Sequence, residues 1–479
     1  MKNIFYNRHT PFWLITIAVL IGLTVPVLIQ DGMFMDAMLY TSVSHNLSQG
    51  IGTFWFPQFS LLNVGGLPSF HEQPPLVFGI QSLFFRLFGD SMYIERLYTF
   101  LTMCITAFLI HRIWREIFSN GNKLKFYSWI PLILWITIPV CFWSYSNNMH
   151  ENTMGIFTLT SVLFTYKALR ATKFQILMLV TSGIFIFLAT FSKGLPGFFP
   201  ISVPFLYWLT TKKIKFSKAI FYTFIIIIIP LIGYFILFLI PESNESLSTY
   251  LFKRAFHRIN EVPTVENRFY ILYRIFTELL PQILFIGLLF LVSAVRKIKT
   301  RKNEQIRESL FFISVGLSAS VPLMLTLVQK GFYFVPALPM FSIGLSILAA
   351  PIILNLTERI DIYNNKFKIF LIFSAILFVF ISGFALMQKG KVSRNKEMLN
   401  DVYLIGKVVP TKSTISIPQA MWNDNSLQCY LIRYFNISVE PGYCNQFFLL
   451  DNQLKDDSLI NFKKIDIQTQ KYTLYKRIE

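Results

Sequence analysis

Residues 12–29 read FWLITIAVLIGLTVPVLI, and residues 31–50 read DGMFMDAMLYTSVSHNLSQG. The first stretch is apolar and close to the roughly 20 residues that a membrane span requires. The second opens a loop that runs to Arg96. It carries Asp31, Asp36, Tyr40, His45 and Asn46, and later His71-Glu72-Gln73-Pro74-Pro75. Carboxylates kept beside a bilayer are expensive to desolvate and useful for chemistry. Together the two stretches point to an enzyme working where water meets lipid, rather than to a pore.

Composition extends this reading. Of 479 residues, 54% are hydrophobic and 14% charged, against about 25% charged in soluble domains. Apolar runs of span length recur along the chain, so it is read as a polytopic α-helical membrane protein. Lys2 and Arg8 precede the first run and no small-residue cleavage site follows it, so that helix is expected to be retained.

The net charge of +19 does not point to nucleic acid. The basic residues gather in short loops, as the positive-inside rule requires. The clusters are Arg112/Arg115/Lys123/Lys125, Lys167/Arg170/Lys173, Lys212/Lys213/Lys215/Lys218 and the stretch Arg296–Arg307. With these loops inside, spans fall at 12–29, 97–112, 126–145, 152–168, 174–191, 196–210, 218–240, 273–294, 308–327, 332–352 and 367–387. That is about eleven transmembrane helices, within about ten to thirteen. The N-terminus is then inside and the tail outside. Residues 74–88 (PPLVFGIQSLFFRLF) are apolar but short, and are read as an interfacial helix within a large first extracytoplasmic loop.

The outer segments are then 31–96, 146–151, 192–195, 241–272, 328–331 and everything beyond 388. Asp36, His71, Glu72, Glu151, Lys193, His257, Arg258 and Lys330 all fall there. The spans read as nearly free of ionisable groups, and no inverted repeat stands out. A proton-coupled transporter would be expected to carry ionisable residues near mid-membrane and an inverted repeat.

Residues 389–479 are more polar. Helical patterns at 398–408 and 426–435, with strand patterns at 413–417, 437–439 and 447–450, predict a small soluble α/β domain. The expected division is 1–388, membrane and catalytic, and 389–479, extracytoplasmic. Cys429 and Cys444 both lie in the tail. A disulfide and two free thiols are equally open there.

The order of landmarks resembles a known family. Asp36-Ala37-Met38-Leu39-Tyr40 is followed by Asn46-Leu47, Gly50, Phe70-His71-Glu72-Gln73-Pro74-Pro75-Leu76, Arg86-Leu87-Phe88-Gly89 and Glu95-Arg96-Leu97. Lys193-Gly194 and Tyr333 with Pro336 and Pro339 come later. This resembles the polyprenyl-phosphate-dependent glycosyltransferases of the GT-C superfamily, near lipid A aminoarabinose transferases and protein O-mannosyltransferases. The resemblance implies transfer of a sugar from a polyprenyl-phosphate donor to a hydroxyl of an extracytoplasmic lipid, glycan or protein. The setting it implies is a bacterial-type inner membrane, with the active site on the outer face.

In that scheme Asp36 takes the position of the acid that deprotonates the acceptor, with Glu151 as a second acidic residue. A positioned carboxylate suits the task because a neutral hydroxyl is a poor nucleophile. Lys193, His257, Arg258 and Lys330 are the candidates to balance charge on the departing phosphate. Tyr40, His71, Glu72 and Tyr333 are the substrate-binding candidates. No cofactor is required, and a divalent cation on Asp36 and Glu151 is the alternative. Two positions depart from the family pattern: Ala37 stands where Glu is usual, and Gln73 where a phosphate-binding Lys is usual. The second departure leaves the aminoarabinose substrate open.

Each residue also has a plainer reading. Asp36 could be a loop or cap residue, and Asp31 a boundary residue. Glu72 could cap the helix after Pro74, and Glu151 could serve a helix dipole. Lys193 could be an interfacial anchor, and His257 and Arg258 could bind headgroups beside Lys253 and Arg254. Tyr145, Tyr250 and Tyr270 could form an aromatic belt or line a sugar site. Soluble nucleotide and zinc motifs are absent, and the inner loops are too short to hold a nucleotide-sugar domain. The rival functions are a surface-polysaccharide polymerase or ligase and, further off, a lipid or polysaccharide transporter.

Overall fold

The computed structural model describes residues 7–61, 69–118, 121–256, 263–298, 303–392, 394–456 and 459–478. In chain order the helices are α1 (Thr10–Leu28), α2 (Met35–Ser48), α3 (Leu76–Phe88), α4 (Tyr93–Ile117), α5 (Trp129–Ile136), α6 (Pro139–Tyr145), α7 (His150–Arg170), α8 (Gln175–Lys193) and α9 (Val203–Thr211). They continue as α10 (Phe216–Phe238), α11 (Pro241–Ser248), α12 (Tyr270–Val295), α13 (Asn303–Ser320), α14 (Leu338–Glu358), α15 (Asn365–Leu386), α16 (Lys396–Val408) and α17 (Asn425–Phe435). Among the described residues, 8 helices are long and apolar enough to cross a membrane, or 9 if Lys123–Ile136 and Pro139–Tyr145, bent by 88°, make one span. α3 is apolar but too short.

Contacts divide the chain into two compact units. The first comprises Met1–Val27, Thr99–Ser146 and His150–Gln388. α7 is largely buried although it carries many polar residues. Ser161 and Thr165 each share a 2.7 Å hydrogen bond with Ser182 of α8, the hydroxyl pairing typical of close helix packing in lipid. Gly183 of α8 abuts α10: a Cβ there would lie 2.7 Å from Ile229.

Ionisable groups do occur in the predicted spans, but the structure pairs them locally. Glu278 of α12 accepts from the Val140 N–H at the start of α6 (2.7 Å) and pairs with Arg274 (2.7 Å). Gln282, one turn on, donates to Leu134 O and Thr137 Oγ1. These two residues satisfy the backbone groups freed at the α5–α6 break, as non-helical backbone at membrane depth requires. Glu308 of α13 is held by Tyr166 and Lys213 at 3.1 Å each.

The second unit comprises Leu28–Tyr98, Asn147–Met149 and Lys389–Glu479, so the first loop packs with the tail. The tail holds five strands: β1 (Thr414–Ile417), β2 (Ser438–Pro441), β3 (Phe447–Asp451), β4 (Phe462–Lys464) and β5 (Tyr472–Arg477). Their order is β2-β1-β3-β5-β4. β1 runs parallel to β2 and β3, whereas β5 is antiparallel to β3 and β4. The predicted tail helices and first three strands are present. β4 and β5 were not anticipated, because Lys463, Lys464, Lys476 and Arg477 dilute their apolar alternation. Asp401 of α16 compensates at the start of β5, accepting from the N–H groups of Gln470, Lys471 and Tyr472 at 2.7–2.9 Å. Cys429 is buried, Cys444 is exposed, and both are free thiols.

Candidate active site

In the first unit the fold brings two separately predicted residues together. α7 and α8 form a hairpin across a turn at 171–174, so the start of α7 meets the end of α8. Lys193 Nζ lies 2.7 Å from Glu151 Oε1, with side-chain exposures of 7% and 1%. Each residue also suits its helix end: Glu151 is in the first turn of α7 and Lys193 in the last turn of α8.

Two glycines shape the turn after Lys193. Gly194, at φ 80°, closes α8 by donating its N–H to Thr190 O. A Cβ on Gly194 would fall 1.7 Å from the Tyr250 hydroxyl oxygen, so Tyr250 rests directly on this turn. A Cβ on Gly197 would lie 2.7 Å from the Ala189 carbonyl carbon, where the 3-10 turn Leu195–Ser202 folds against α8. Tyr250 thus contacts the Lys193–Gly194 turn. The other first-unit candidates lie further along the chain. Lys330 is exposed and opens the 3-10 turn Gly331–Ala337, which holds Tyr333; the Tyr333 N–H donates to Lys330 O at 3.1 Å. His257 and Arg258 lie outside the described residues.

The second unit holds Asp36, Tyr40, His71 and Glu72. Asp36 is half-buried in the first turn of α2. Phe34, the N-cap of α2, is fixed by its N–H bond to Asn147 Oδ1 at 2.8 Å. Asn148 donates to Thr41 Oγ1 (2.8 Å) and exchanges two 2.9 Å amide bonds with Gln81. Burial first, and then the negative charge of Asp36, push the Cys429 thiol well above its ordinary pKa. Tyr40 is buried and accepts from Gln73 Nε2 at 3.5 Å. His71 is buried, with its Nε2 2.8 Å from Ser69 Oγ. Glu72 lies just before α3, whose N-cap position is Pro75.

Sequence reasoning missed a buried polar network in the same unit. Asp31, read as a boundary residue, does follow α1 closely, but it is buried at 5% exposure. Its Oδ1 accepts from the Gly32 N–H and Tyr434 Oη at 2.7 Å each, and its Oδ2 from Tyr403 Oη at 2.6 Å, with Arg96 at 3.8 Å. Arg433, 1% exposed, pairs with Glu95 and Asp90 at 3.0 Å each. His45 lies 2.6 Å from Asp90. Burial opposes ionisation of Asp90, but the His45 hydrogen bond and the Arg433 charge hold its carboxyl below the usual range. The available signal was Arg433 itself, a charge among the apolar positions of an otherwise amphipathic α17. Among the described residues, no three His, Cys, Asp or Glu side chains gather as a metal site.

Known proteins share this architecture. A family model for dolichyl-phosphate-mannose-protein mannosyltransferases matches residues 72–237. The fold is similar to that of ArnT from Cupriavidus metallidurans bound to undecaprenyl phosphate, with TM-score 0.65 over 97% of each chain at 12% identity. The apo state of that protein gives 0.65 over 98% of each chain at 11% identity. The Archaeoglobus fulgidus oligosaccharyltransferase in its apo form gives 0.56 at 12% identity, over 91% of this chain and 65% of that one. No curated protein sequence matches. The chain is a multi-pass membrane protein, and its resemblance to GT-C glycosyltransferases holds for the family model and for the fold from the first span to the tail.

Proposed function

We propose that the chain is a glycosyltransferase that moves a sugar from a polyprenyl-phosphate donor to a hydroxyl of an extracytoplasmic lipid, glycan or protein. The observation that carries this reading is the likeness along 97% of the chain to a protein whose structure holds undecaprenyl phosphate. The buried Lys193–Glu151 pair supports it, because it sets a cation and a carboxylate at one pair of helix ends.

In this reading Asp36 takes the acceptor proton as the new bond to the sugar's anomeric carbon forms. The bond from that carbon to the phosphate oxygen breaks, and the polyprenyl phosphate leaves with the electron pair. Lys193, with Lys330, His257 and Arg258 as further cations, balances the phosphate charge. Tyr40, His71, Glu72 and Tyr333 border the substrates. Glu151 holds Lys193 in place and acts as the second acid. No metal is needed, and a divalent cation is the alternative that chelation would reveal.

The same reading sets about eleven crossings: the eight apolar helices, the bent pair α5–α6, the polar helix α7, and the 195–211 segment. It divides the chain functionally at 388/389 and sets the active site on the outer face of a bacterial-type inner membrane. The test is transfer of a labelled sugar from a polyprenyl phosphate by the full chain in reconstituted vesicles, with and without chelator. Transfer that survives chelation is expected. No transfer from any polyprenyl-phosphate sugar to endogenous acceptors would overturn the reading.

A further inference from the structure

A cleft of about 590 Å³ opens between the segment 264–273 and residues 329–331, within the first unit. It is a built feature. The Thr264 and Val265 N–H groups donate to Leu327 O at 3.1 and 3.3 Å, and the Gln329 N–H donates to Thr264 Oγ1 at 2.9 Å. The Gln329 amide, 2% exposed, acts as the internal fastener. Its Oε1 accepts from the Ile271 N–H at 2.9 Å, and its Nε2 donates to Arg268 O at 3.0 Å and Thr326 O at 2.8 Å.

The lining has one chemical character. Phe269 and Tyr273 present rings that are 63% and 67% exposed. Glu266 and Lys330 bring opposite charges, and both are exposed. Asn267 uses its carbonyl oxygen on the Phe269 N–H at 2.8 Å, which leaves its amide N–H groups for another partner. Aromatic faces cover the C–H side of a pyranose ring, a carboxylate accepts hydroxyl protons, and ammonium and amide groups donate to ring oxygens. A belt that only anchors the chain in lipid needs rings, but not a carboxylate and an ammonium across a hydrogen-bonded cleft. An anionic headgroup would meet Glu266 as well as Lys330, which disfavours it. The volume falls within the range of about 300–1,000 Å³ usual for small-ligand sites.

We propose that this cleft binds a neutral pyranose ring of the acceptor, stacked on Tyr273 and Phe269 and hydrogen-bonded by Glu266 and Asn267. Its purpose rests on the transferase reading; its existence as a sugar site does not. The test uses the full chain in nanodiscs of phosphatidylcholine and phosphatidylglycerol, read by saturation-transfer NMR. The probes are methyl α-mannopyranoside, methyl β-glucopyranoside and N-acetylglucosamine. At least one is expected to bind in the millimolar range, weakened about tenfold by Tyr273→Ala and by Glu266→Gln, with unfolding temperature unchanged. Binding of none of the three, or binding that survives both variants, overturns the proposal. So does a signal from lipid headgroups alone. Polyprenyl-phosphate binding is measured on the same samples. Sugar binding lost with donor binding intact removes this cleft alone. The reverse result removes the transferase reading and leaves the cleft standing.

Discussion

Lys193 Nζ and Glu151 Oε1 lie 2.7 Å apart, with the lysine 7% and the glutamate 1% exposed. A pair buried this deeply contributes little net stability, because desolvating two charges offsets their attraction. Removing one partner is another matter, since the remaining charge stays buried. Lys193→Met and Glu151→Gln are each expected to cost about 3–5 kcal/mol, seen as a lowered unfolding temperature in detergent. The double variant should recover part of that loss. If each single variant unfolds like the parent, the pair is not the buried contact described.

Gly194 gives a steric test beside the same pair. Gly194→Ala adds a Cβ 1.7 Å from the Tyr250 hydroxyl oxygen, at a φ of 80° that side chains rarely adopt. Two costs follow: the clash and the backbone strain, the latter of order 1–3 kcal/mol. Tyr250→Ala in the Gly194→Ala background should relieve the clash but not the strain. Expression and unfolding temperature should therefore recover only in part. Full recovery would mean that the left-handed turn is unnecessary.

Much of this architecture was legible because it rests on long patterns. Apolar runs mark the spans, and basic loops mark the breaks between them. The first three tail strands show as short apolar runs, and β5 was lost where Lys476 and Arg477 interrupt the alternation. Glu151 and Lys193 were each visible as helix-end charges, but their meeting depends on how α7 and α8 pair, which no local pattern states. Asp31 was misread for the same reason. Its partners Tyr403 and Tyr434 lie 372 and 403 residues away. A carboxylate next to a span looks like a boundary until the tail folds over it.

The Asp31 network makes a prediction against that first reading. Asp31→Asn keeps the size but cannot accept both tyrosine protons and balance Arg96. Arg433→Met removes one of the two cations on Glu95, whose side chain is 0% exposed, and leaves it with Arg96 at 3.1 Å. The Arg433 substitution should cost about 1.5–3 kcal/mol for the lost charge-assisted bonds, and the Asp31 substitution about 1–3 kcal/mol for an unsatisfied buried donor. Limited proteolysis of the tail should rise in both variants. Unchanged protection of the 389–479 segment would show that the network does not hold loop and tail together.

The same tyrosines set a pH dependence. Burial first, and then the bond to the Asp31 carboxylate, raise the pKa of Tyr403. Burial raises Tyr434 well above its ordinary value, with Arg96 opposing and Asp31 adding to the shift. A raised folded-state pKa gives stability that is fully present below the unfolded value, about 10 for tyrosine. That stability is lost as pH rises toward the folded value. The unfolding temperature should be level up to about pH 10 and fall above it. In Tyr403→Phe and Tyr434→Phe the fall should be shallower. A decline as steep in both variants as in the parent would remove these two groups as its source.

Sidedness can be read from a cysteine that is already present. Cys444 is exposed in the tail and Cys429 is buried, so Cys444 is a natural reporter. Asn303, exposed at the start of α13 beside the richest basic loop, is the opposite reporter when replaced by Cys. An impermeant thiol reagent on intact cells should label Cys444 and spare Asn303→Cys in a Cys444→Ser background. The reversed pattern would invert the topology and put Asp36 on the wrong side for a polyprenyl-phosphate donor presented outside.

Asp36 carries the chemical prediction. It occupies the first turn of α2, half-buried, on a helix whose start is fixed by the Phe34–Asn147 bond. The carboxylate is thus on a rigid element rather than on a free loop, as a group that must meet a hydroxyl at hydrogen-bond distance should be. Asp36→Asn keeps size and hydrogen bonding but cannot take a proton. Turnover should fall by about 10²–10⁴-fold, while polyprenyl-phosphate binding and unfolding temperature stay near those of the parent. Asp36→Glu should restore part of the rate, because the base returns at a shifted position. The readout is initial velocity of sugar transfer in reconstituted vesicles, with donor binding measured on the same preparation. An Asn variant with near-parental turnover would remove Asp36 as the base. One that loses donor binding and turnover together would reassign it to holding the donor.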